Sequence, residues 1–315
     1  MTEVLTFGEA MAALRAEQPL MLGGSLRLSV AGAEANVAIG LARLGHAVRW
    51  VGLTGDDEFG RLVRRTLRAE GVDVSRAVTT EEGPTGLVVF EPRVADLVRV
   101  AYFRTGSAGS RLAPVHLDAA LTEGARILHL TGVTPALGPG PARAVHSAVR
   151  DAGRQGMTVC LDVNYRGKLW SREEAARVLR PLVPHVDVLV ASDDELSVVA
   201  PAEAATEAAR IEALLSRGVG EVVVKRGSVG ADVFTAARTI TRDAVAVPVR
   251  DTVGAGDAFV AGYLSGVLDG GPVELRLDRA VTAGAFAVAT VGDWEGLPGH
   301  HELDLLRAEP GSTLR

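Results

Sequence analysis

Cysteine is almost missing from this chain of 315 residues. Cys160 stands alone inside the apolar run Met157–Leu161, which excludes an intrachain disulfide framework and fits a reducing cytoplasm. Long hydrophobic runs are missing too. No segment offers ~18 uninterrupted apolar residues, and Met1 to Phe7 has no basic stretch leading into an apolar one, so neither a membrane span nor a secretory leader is expected. Basic charge is short: 33 Lys and Arg stand against 39 Asp and Glu, a formal net charge of −6. A nucleic-acid binder needs a basic face, so small-molecule partners are expected instead. His46, His116, His129, His146, His185, His300 and His301 have no metal-ligand spacing. Two nucleotide fingerprints are also absent. Without Gly-x-x-x-x-Gly-Lys-Ser/Thr this is not a P-loop enzyme, and without Gly-x-Gly-x-x-Gly after the first strand a dinucleotide-dependent dehydrogenase is disfavoured.

What is present is a globular composition, 47% hydrophobic and 23% charged. The length fits two average domains or one large α/β domain with a small appendage. Short β-branched runs near Val4–Phe7, Val48–Gly52, Arg126–Thr131, Met157–Asp162, Val186–Ala191 and Glu221–Lys225 predict strands. Between them, helices are expected over Glu34–Leu44, Glu58–Glu70, Pro141–Gln155, Arg172–Leu182, Glu203–Ser216, Gly256–Leu268 and Val273–Val291. This alternation predicts a mainly parallel sheet covered by helices on both faces. Leu26–Val30, Gly86–Glu91 and Leu97–Phe103 break it, because no helix separates them. They predict a small β flap, a cover of the kind that excludes water from a reaction site.

The segment Asp251-Thr-Val-Gly-Ala-Gly-Asp257 runs a Gly-rich turn straight into a small-residue helix. Gly254 and Gly256 leave room for a phosphate, and the helix start supplies unpaired N–H donors and partial positive charge, an anion hole. A carboxylate at Asp257 would repel that anion unless it accepts the proton of an attacking hydroxyl. Taken alone, the pattern equally fits an acid that complements the helix dipole.

The same seven residues resemble the carboxyl-terminal signature of the ribokinase-like, PfkB-type carbohydrate kinases. Gly32-Ala-Glu-Ala-Asn36 and the helix after it resemble that family's sugar-binding motif, with Ala31 where the first of two glycines usually stands, and Gly52-Leu-Thr-Gly-Asp56 matches the stretch that follows. The resemblance covers nearly the whole chain. It implies a Rossmann-like three-layer α/β/α sandwich, one kinase domain over residues 1–315, with lid strands from about 10–31 and 85–105. It also implies Asp257 as catalytic base, with the Gly254, Ala255 and Gly256 amides as anion hole.

For the nucleotide, Lys225-Arg-Gly-Ser-Val-Gly230 resembles the family's turn over ATP, giving Lys225, Gly227 and Gly230. Ser192-Asp-Asp-Glu195 resembles Asn-x-x-Glu, with Ser192 in place of Asn and Glu195 holding Mg²⁺ through water. Ala283 and Ala287, small residues on the late helix, are expected at the adenine. A monovalent cation (K⁺) near Asp251 and a homo-oligomer, through the flap, follow from the same resemblance. For the sugar, Asp162-Val-Asn-Tyr-Arg166 and Tyr102-Phe-Arg104 resemble the 2-keto-3-deoxygluconate kinases of this family. Two arginines would meet a carboxylate with planar cationic donors. Glu9, Gly32, Ala33, Asn36, Tyr102, Arg104, Arg166, Asp257 and Asp293 make up the expected sugar site. Val88 stands where that group carries a flap tyrosine. The alternatives are a kinase of the same family for a neutral sugar such as fructose or ribose, and a non-catalytic sugar- and nucleotide-binding regulator.

Overall fold

A computed structural model describes residues 2–94 and 97–307. Residues 95 and 96 of the expected flap, and 1 and 308–315 of the expected domain, lie outside the described residues. The strands in chain order begin with β1 (Val4–Phe7), β2 (Met11–Ala16), β3 (Leu26–Ala31), β4 (Val48–Val51), β5 (Leu53–Gly55) and β6 (Val78–Thr80). They continue with β7 (Leu87–Val94), β8 (Leu97–Phe103), β9 (Ile127–Thr131) and β10 (Thr158–Asp162). The last four are β11 (Val188–Ser192), β12 (Glu221–Lys225), β13 (Gly230–Phe234) and β14 (Thr239–Asp243). Helices are α1 (Ala33–Arg43), α2 (Glu58–Ala69), α3 (Asp118–Glu123), α4 (Pro139–Gln155) and α5 (Arg172–Leu179). They are followed by α6 (Leu196–Val199), α7 (Glu207–Ser216), α8 (Ala255–Leu268) and α9 (Val273–Val288).

The main sheet has eight strands in the order β14-β13-β12-β11-β10-β9-β1-β4, parallel except for the antiparallel hairpin of β13 and β14 at one edge. Its strands read as apolar runs because both faces are covered. Leu128, Leu130, Val159, Leu161, Leu189 and Val222 point to one side, where α3, α4, α5 and α7 pack. Val4, Val48, Ile127, Cys160, Val190 and Val223 point to the other, under α1, α2, α8 and α9. Each fully buried Leu, Ile or Val contributes roughly 1.5–3 kcal/mol, so register is held by burial on both faces. This is the expected α/β/α sandwich.

Helix starts follow side-chain caps. Asp57 accepts the Gly60 N–H, Ser171 forms a capping box with Glu174, and Thr206 accepts from Ala209. Thr206 moves the start of α7 past the expected Glu203. The helix expected to Leu182 ends at Leu179 as an α-helix and tightens into a 3₁₀ turn over Arg180–His185 that contains Pro181 and Pro184. The last helix stops at Val288 rather than Val291. Helix α3 and the β5–β6 pair were not expected.

A second sheet, β3-β2-β7-β8, stands over the carboxyl-terminal edge of the main one. Its register pairs Val88 with Tyr102 and Phe90 with Val100. One face, carrying Met11, Ala31, Val88, Phe90, Val100 and Tyr102, closes over a cavity. Leu26, Leu28, Leu97 and Phe103, on the opposite face, are exposed. The alternation of β strands puts these two sets on opposite sides.

Candidate active site

In an open α/β sheet, the carboxyl ends of the strands and the loops after them form the crevice. Asp162 ends β10, Ser192 ends β11 and Lys225 ends β12. Opposite them, α8 opens at Gly254, whose φ of 76° is a left-handed conformation that favours glycine. A Cβ on Gly254 would stand 1.9 Å from the Asp293 carbonyl oxygen, so the turn packs against that loop. The first-turn amides of α8 have no intrahelical acceptor.

Asp257 sits in this first turn and is buried. Asn36 Nδ2 donates to its Oδ2 at 2.8 Å, and Asn164 Nδ2 to its Oδ1 at 3.4 Å. Burial pushes the Asp257 carboxyl up to about 6, against the Asn36 hydrogen bond and the Arg166 charge, which favour the anion. Asn164 holds φ at 38°, the only non-glycine residue with positive φ among the described residues. Strain of this kind is retained where the surroundings over-determine it.

The cavity beside Asp257, about 560 Å³, is lined by Glu9, Gly32, Ala33, Asn36, Tyr102, Arg104, Arg166, Asp257 and Asp293. All nine expected sugar-site residues therefore meet in one place. One detail differs from a pair of free arginines. Arg104 Nη2 is ion-paired with the buried carboxylate of Glu9, which also accepts the Ser107 hydroxyl, so its charge is already matched. Arg166 forms no ion pair among the described residues and reaches the cavity from the loop after β10. Lys168 joins it there and donates to the Val100 carbonyl oxygen on β8 at 2.9 Å. Asn36 Oδ1 and Arg104 Nε are buried without a hydrogen-bond partner among the described residues. Burying such atoms unpaired is costly, and both belong to residues that face the cavity.

A second cavity, about 540 Å³, adjoins the first, and Lys225, Thr252 and Gly256 border both. Gly227, Gly230 and Ala255 line it together with Val245, Val247 and Phe259. Gly230 is required there, because at φ 129° a Cβ would lie 2.0 Å from the Arg242 carbonyl oxygen. Lys225 Nζ bridges both carboxylate oxygens of Asp162, at 2.8 and 3.0 Å, where the two cavities meet.

Ala283 and Ala287, expected at the adenine, do not line this second, apolar slot. Both face the core under α8, and the slot is lined instead by Val281, Gly284, Ala285 and Val288 from the adjoining face of α9. Ser192 borders the first cavity, not the slot, and its hydroxyl donates to Asp194 at 2.7 Å. Glu195 also borders the first cavity, accepting the Tyr165 N–H at 2.7 Å and the Ser192 N–H at 2.8 Å.

Three features escaped the sequence reading. Asn164 lies inside the Asp162–Arg166 segment, yet its reach to Asp257 depends on an unusual backbone angle. The apolar wall at 244–249 carries an alternation, Ala-Val-Ala-Val-Pro-Val, that could have marked it. Arg15 gives no local signal. It donates to Asp251 Oδ2 at 2.7 Å and Asp293 Oδ1 at 3.0 Å, beside the turn where a monovalent cation is expected. Burial pushes the Asp293 carboxyl up to about 7 despite that arginine.

A polar cavity and an apolar slot that meet at the start of α8 have the form of a small-molecule phosphotransferase site. The chain belongs to the pfkB family of carbohydrate kinases, whose model matches residues 1–299. It is 39% identical to a 2-dehydro-3-deoxygluconokinase of Thermoproteus tenax over 98% of this chain and 95% of that one. A protein of that name from Bacillus subtilis is 33% identical, over 96% and 94% of the two chains. Among solved structures, a putative ribokinase II from E. coli in complex with ATP and Mg²⁺ superposes with a TM-score of 0.91 at 25% identity, covering 98% of this chain and 99% of that one. The protein is a carbohydrate kinase.

Proposed function

We propose that this kinase transfers the γ-phosphoryl group of ATP to a 2-keto-3-deoxy sugar acid, converting 2-keto-3-deoxygluconate to its 6-phosphate. Residues 1–315 act as one domain, with the β3-β2-β7-β8 sheet as its lid. The observation that carries the substrate is Arg166, a cation without an ion pair among the described residues, at a cavity where Arg104 and Lys225 are already matched by carboxylates. The names of the two relatives at 39% and 33% identity point the same way.

In this reading ATP lies in the apolar slot with its phosphates over Lys225 and the start of α8. The sugar hydroxyl oxygen attacks the γ-phosphorus, the bond to the β-phosphate oxygen breaks, ADP leaves, and Asp257 takes the hydroxyl proton. The Gly254, Ala255 and Gly256 region receives the developing charge. Mg²⁺ supplies charge neutralisation on the triphosphate. Glu195 suits contact through water, since each of its oxygens already accepts an amide N–H. No cluster of three or more His, Cys, Asp or Glu among the described residues could hold a metal ion, so the nucleotide would provide most of the ligands.

A coupled ADP-release assay comparing kcat/KM for ketodeoxygluconate, ketodeoxygalactonate, fructose, ribose and gluconate tests the substrate. Preference for a neutral sugar refutes the acid reading. That second reading draws on the Arg104–Glu9 pair, which cancels one of the two charges offered to an acid. Arg166→Ala, assayed at pH 8 where Asp257 is ionised, should lower kcat/KM for the acid by about 10–100-fold, the worth of a charge-assisted hydrogen bond, and lower it much less for a neutral sugar, which loses only the support Arg166 gives the Asp257 anion.

Asp257 must be ionised to act, so kcat/KM should fall as pH drops through about 6. Asn36→Ala removes a donor that favours the anion. The acidic limb of the profile should then move to higher pH, with a larger loss near pH 6 than at pH 8. An unmoved limb would separate Asp257 from the proton transfer.

We also assign a homo-oligomer assembled through the outer face of the lid, where Leu26, Leu28, Leu97 and Phe103 are exposed.

A further inference from the structure

Arg15 belongs to lid strand β2, yet its partners lie in the catalytic half of the molecule. Its guanidinium stacks on Phe90 of β7, 4.3 Å from the ring centroid, and its side chain is only 13% exposed. Nη1 donates to Asp251 Oδ2 and Nη2 to Asp293 Oδ1. Asp251 accepts two amides as well, Val253 N–H on Oδ1 at 3.1 Å and Gly292 N–H on Oδ2 at 3.2 Å. That single carboxylate therefore ties the turn before α8 to the loop at 292–293. The Asp293 backbone in turn packs directly against Gly254, the N-cap of α8.

We propose that Arg15 is a positioning residue: seated with the lid, it draws Asp251 and Asp293 together and so fixes Gly254 and the anion hole. The inference rests on the kinase reading of the site. Two nearly buried carboxyl groups share this one guanidinium, and without it the two loops lose the side chain that holds them to each other and to the lid strand. The fork of an arginine can hold both carboxylates at once, whereas a lysine offers a point charge on a flexible stem. Coupling the lid strand to the amides would assemble the transition-state contacts only when the lid is down. Such closure protects a phosphoryl group from water.

The test compares wild type with Arg15→Ala and Arg15→Lys, on whichever sugar wild type turns over. Arg15→Ala should lower kcat about 10²-fold, the scale of a lost anion-hole donor, with KM for ATP within about threefold because the slot does not involve Arg15. Added guanidinium ion should recover part of the kcat of Arg15→Ala and none of that of wild type. Arg15→Lys should fall between the two. Hydrogen exchange gives a readout that needs no substrate: amides at 252–258 and 291–294 should exchange faster in Arg15→Ala than in wild type. A kcat within threefold of wild type, or a kcat loss that guanidinium leaves untouched, overturns the proposal. Unchanged exchange at both loops overturns it as well. If wild type phosphorylates none of the panel, the sugar-acid reading fails, and the exchange experiment still decides whether Arg15 holds the loops.

Discussion

Asp257→Asn should lower kcat by ~10²–10⁴-fold while the protein remains as stable as wild type or becomes more stable. The two halves of that expectation come from one fact, the burial of the carboxylate. Burial raises its pKa from 3.8 to about 6, so the folded state binds a proton more tightly than the unfolded chain. Stability from this group is therefore fully present below pH 3.8 and is lost as pH rises through about 6. At neutral pH the ionised carboxylate costs at most about 3 kcal/mol, the free-energy equivalent of a shift of that size. An amide of the same shape keeps an acceptor for Asn36 Nδ2, gives up only the longer 3.4 Å contact from Asn164 Nδ2, and removes the charge. A residue that only complemented the helix dipole would behave differently, since its removal would lower stability slightly and leave turnover intact. Single-turnover kinetics with thermal unfolding on the same preparation separates the cases. A kcat within tenfold of wild type removes Asp257 as the base, and a collapsed Tm makes the kinetic loss uninformative about proton transfer.

The parts of the site that a reader of the sequence can find are those written in one continuous stretch. Asp251 to Asp257 carries its own turn, helix start and acid, so chain order alone brings the first-turn amides and the carboxylate together. The parallel sheet was legible for a similar reason, because burial on both faces leaves uninterrupted β-branched runs. Arg15 was not legible. Its partners are 236 and 278 residues away, and nothing around position 15 distinguishes it from a solvated strand arginine. Ala283 and Ala287, expected at the adenine, miss the slot by helical phase. Helix α9 is small-residue on more than one face, and Ala283 and Ala287, four apart, share the face that packs on α8, while Gly284, Ala285 and Val288 look into the slot. Tyr102 depended on register. The pairing of Val88 with Tyr102 turns the phenol ring toward the cavity, and a slip of one residue would have turned it away.

Glycine in the turn before α8 gives the other large effect, and the two glycines should respond differently. Gly254→Ala should cut kcat ~10²–10³-fold and also lower Tm, because two costs combine. Its φ of 76° disfavours any Cβ by about 1–2 kcal/mol, and the new methyl would stand 1.9 Å from the Asp293 carbonyl oxygen, a backbone atom that cannot rotate away. Relief requires the turn and the 292–293 loop to separate, which displaces the first-turn amides of α8 proposed to face the phosphate and loses on the order of one anion-hole donor. Gly256 has ordinary helical geometry, and the nearest atom to a Cβ there is Lys225 Nζ at 3.6 Å, ordinary contact distance. Gly256→Ala should therefore keep its Tm, since alanine is the better helix former. Its methyl would project beside Lys225, where the two cavities meet, and should raise KM for ATP. The pair distinguishes a turn that is glycine for its own backbone from one that is glycine to admit a phosphate. Equal Tm losses in both variants would assign both glycines to backbone geometry, and an unaltered kcat in Gly254→Ala would remove the helix terminus from phosphoryl transfer.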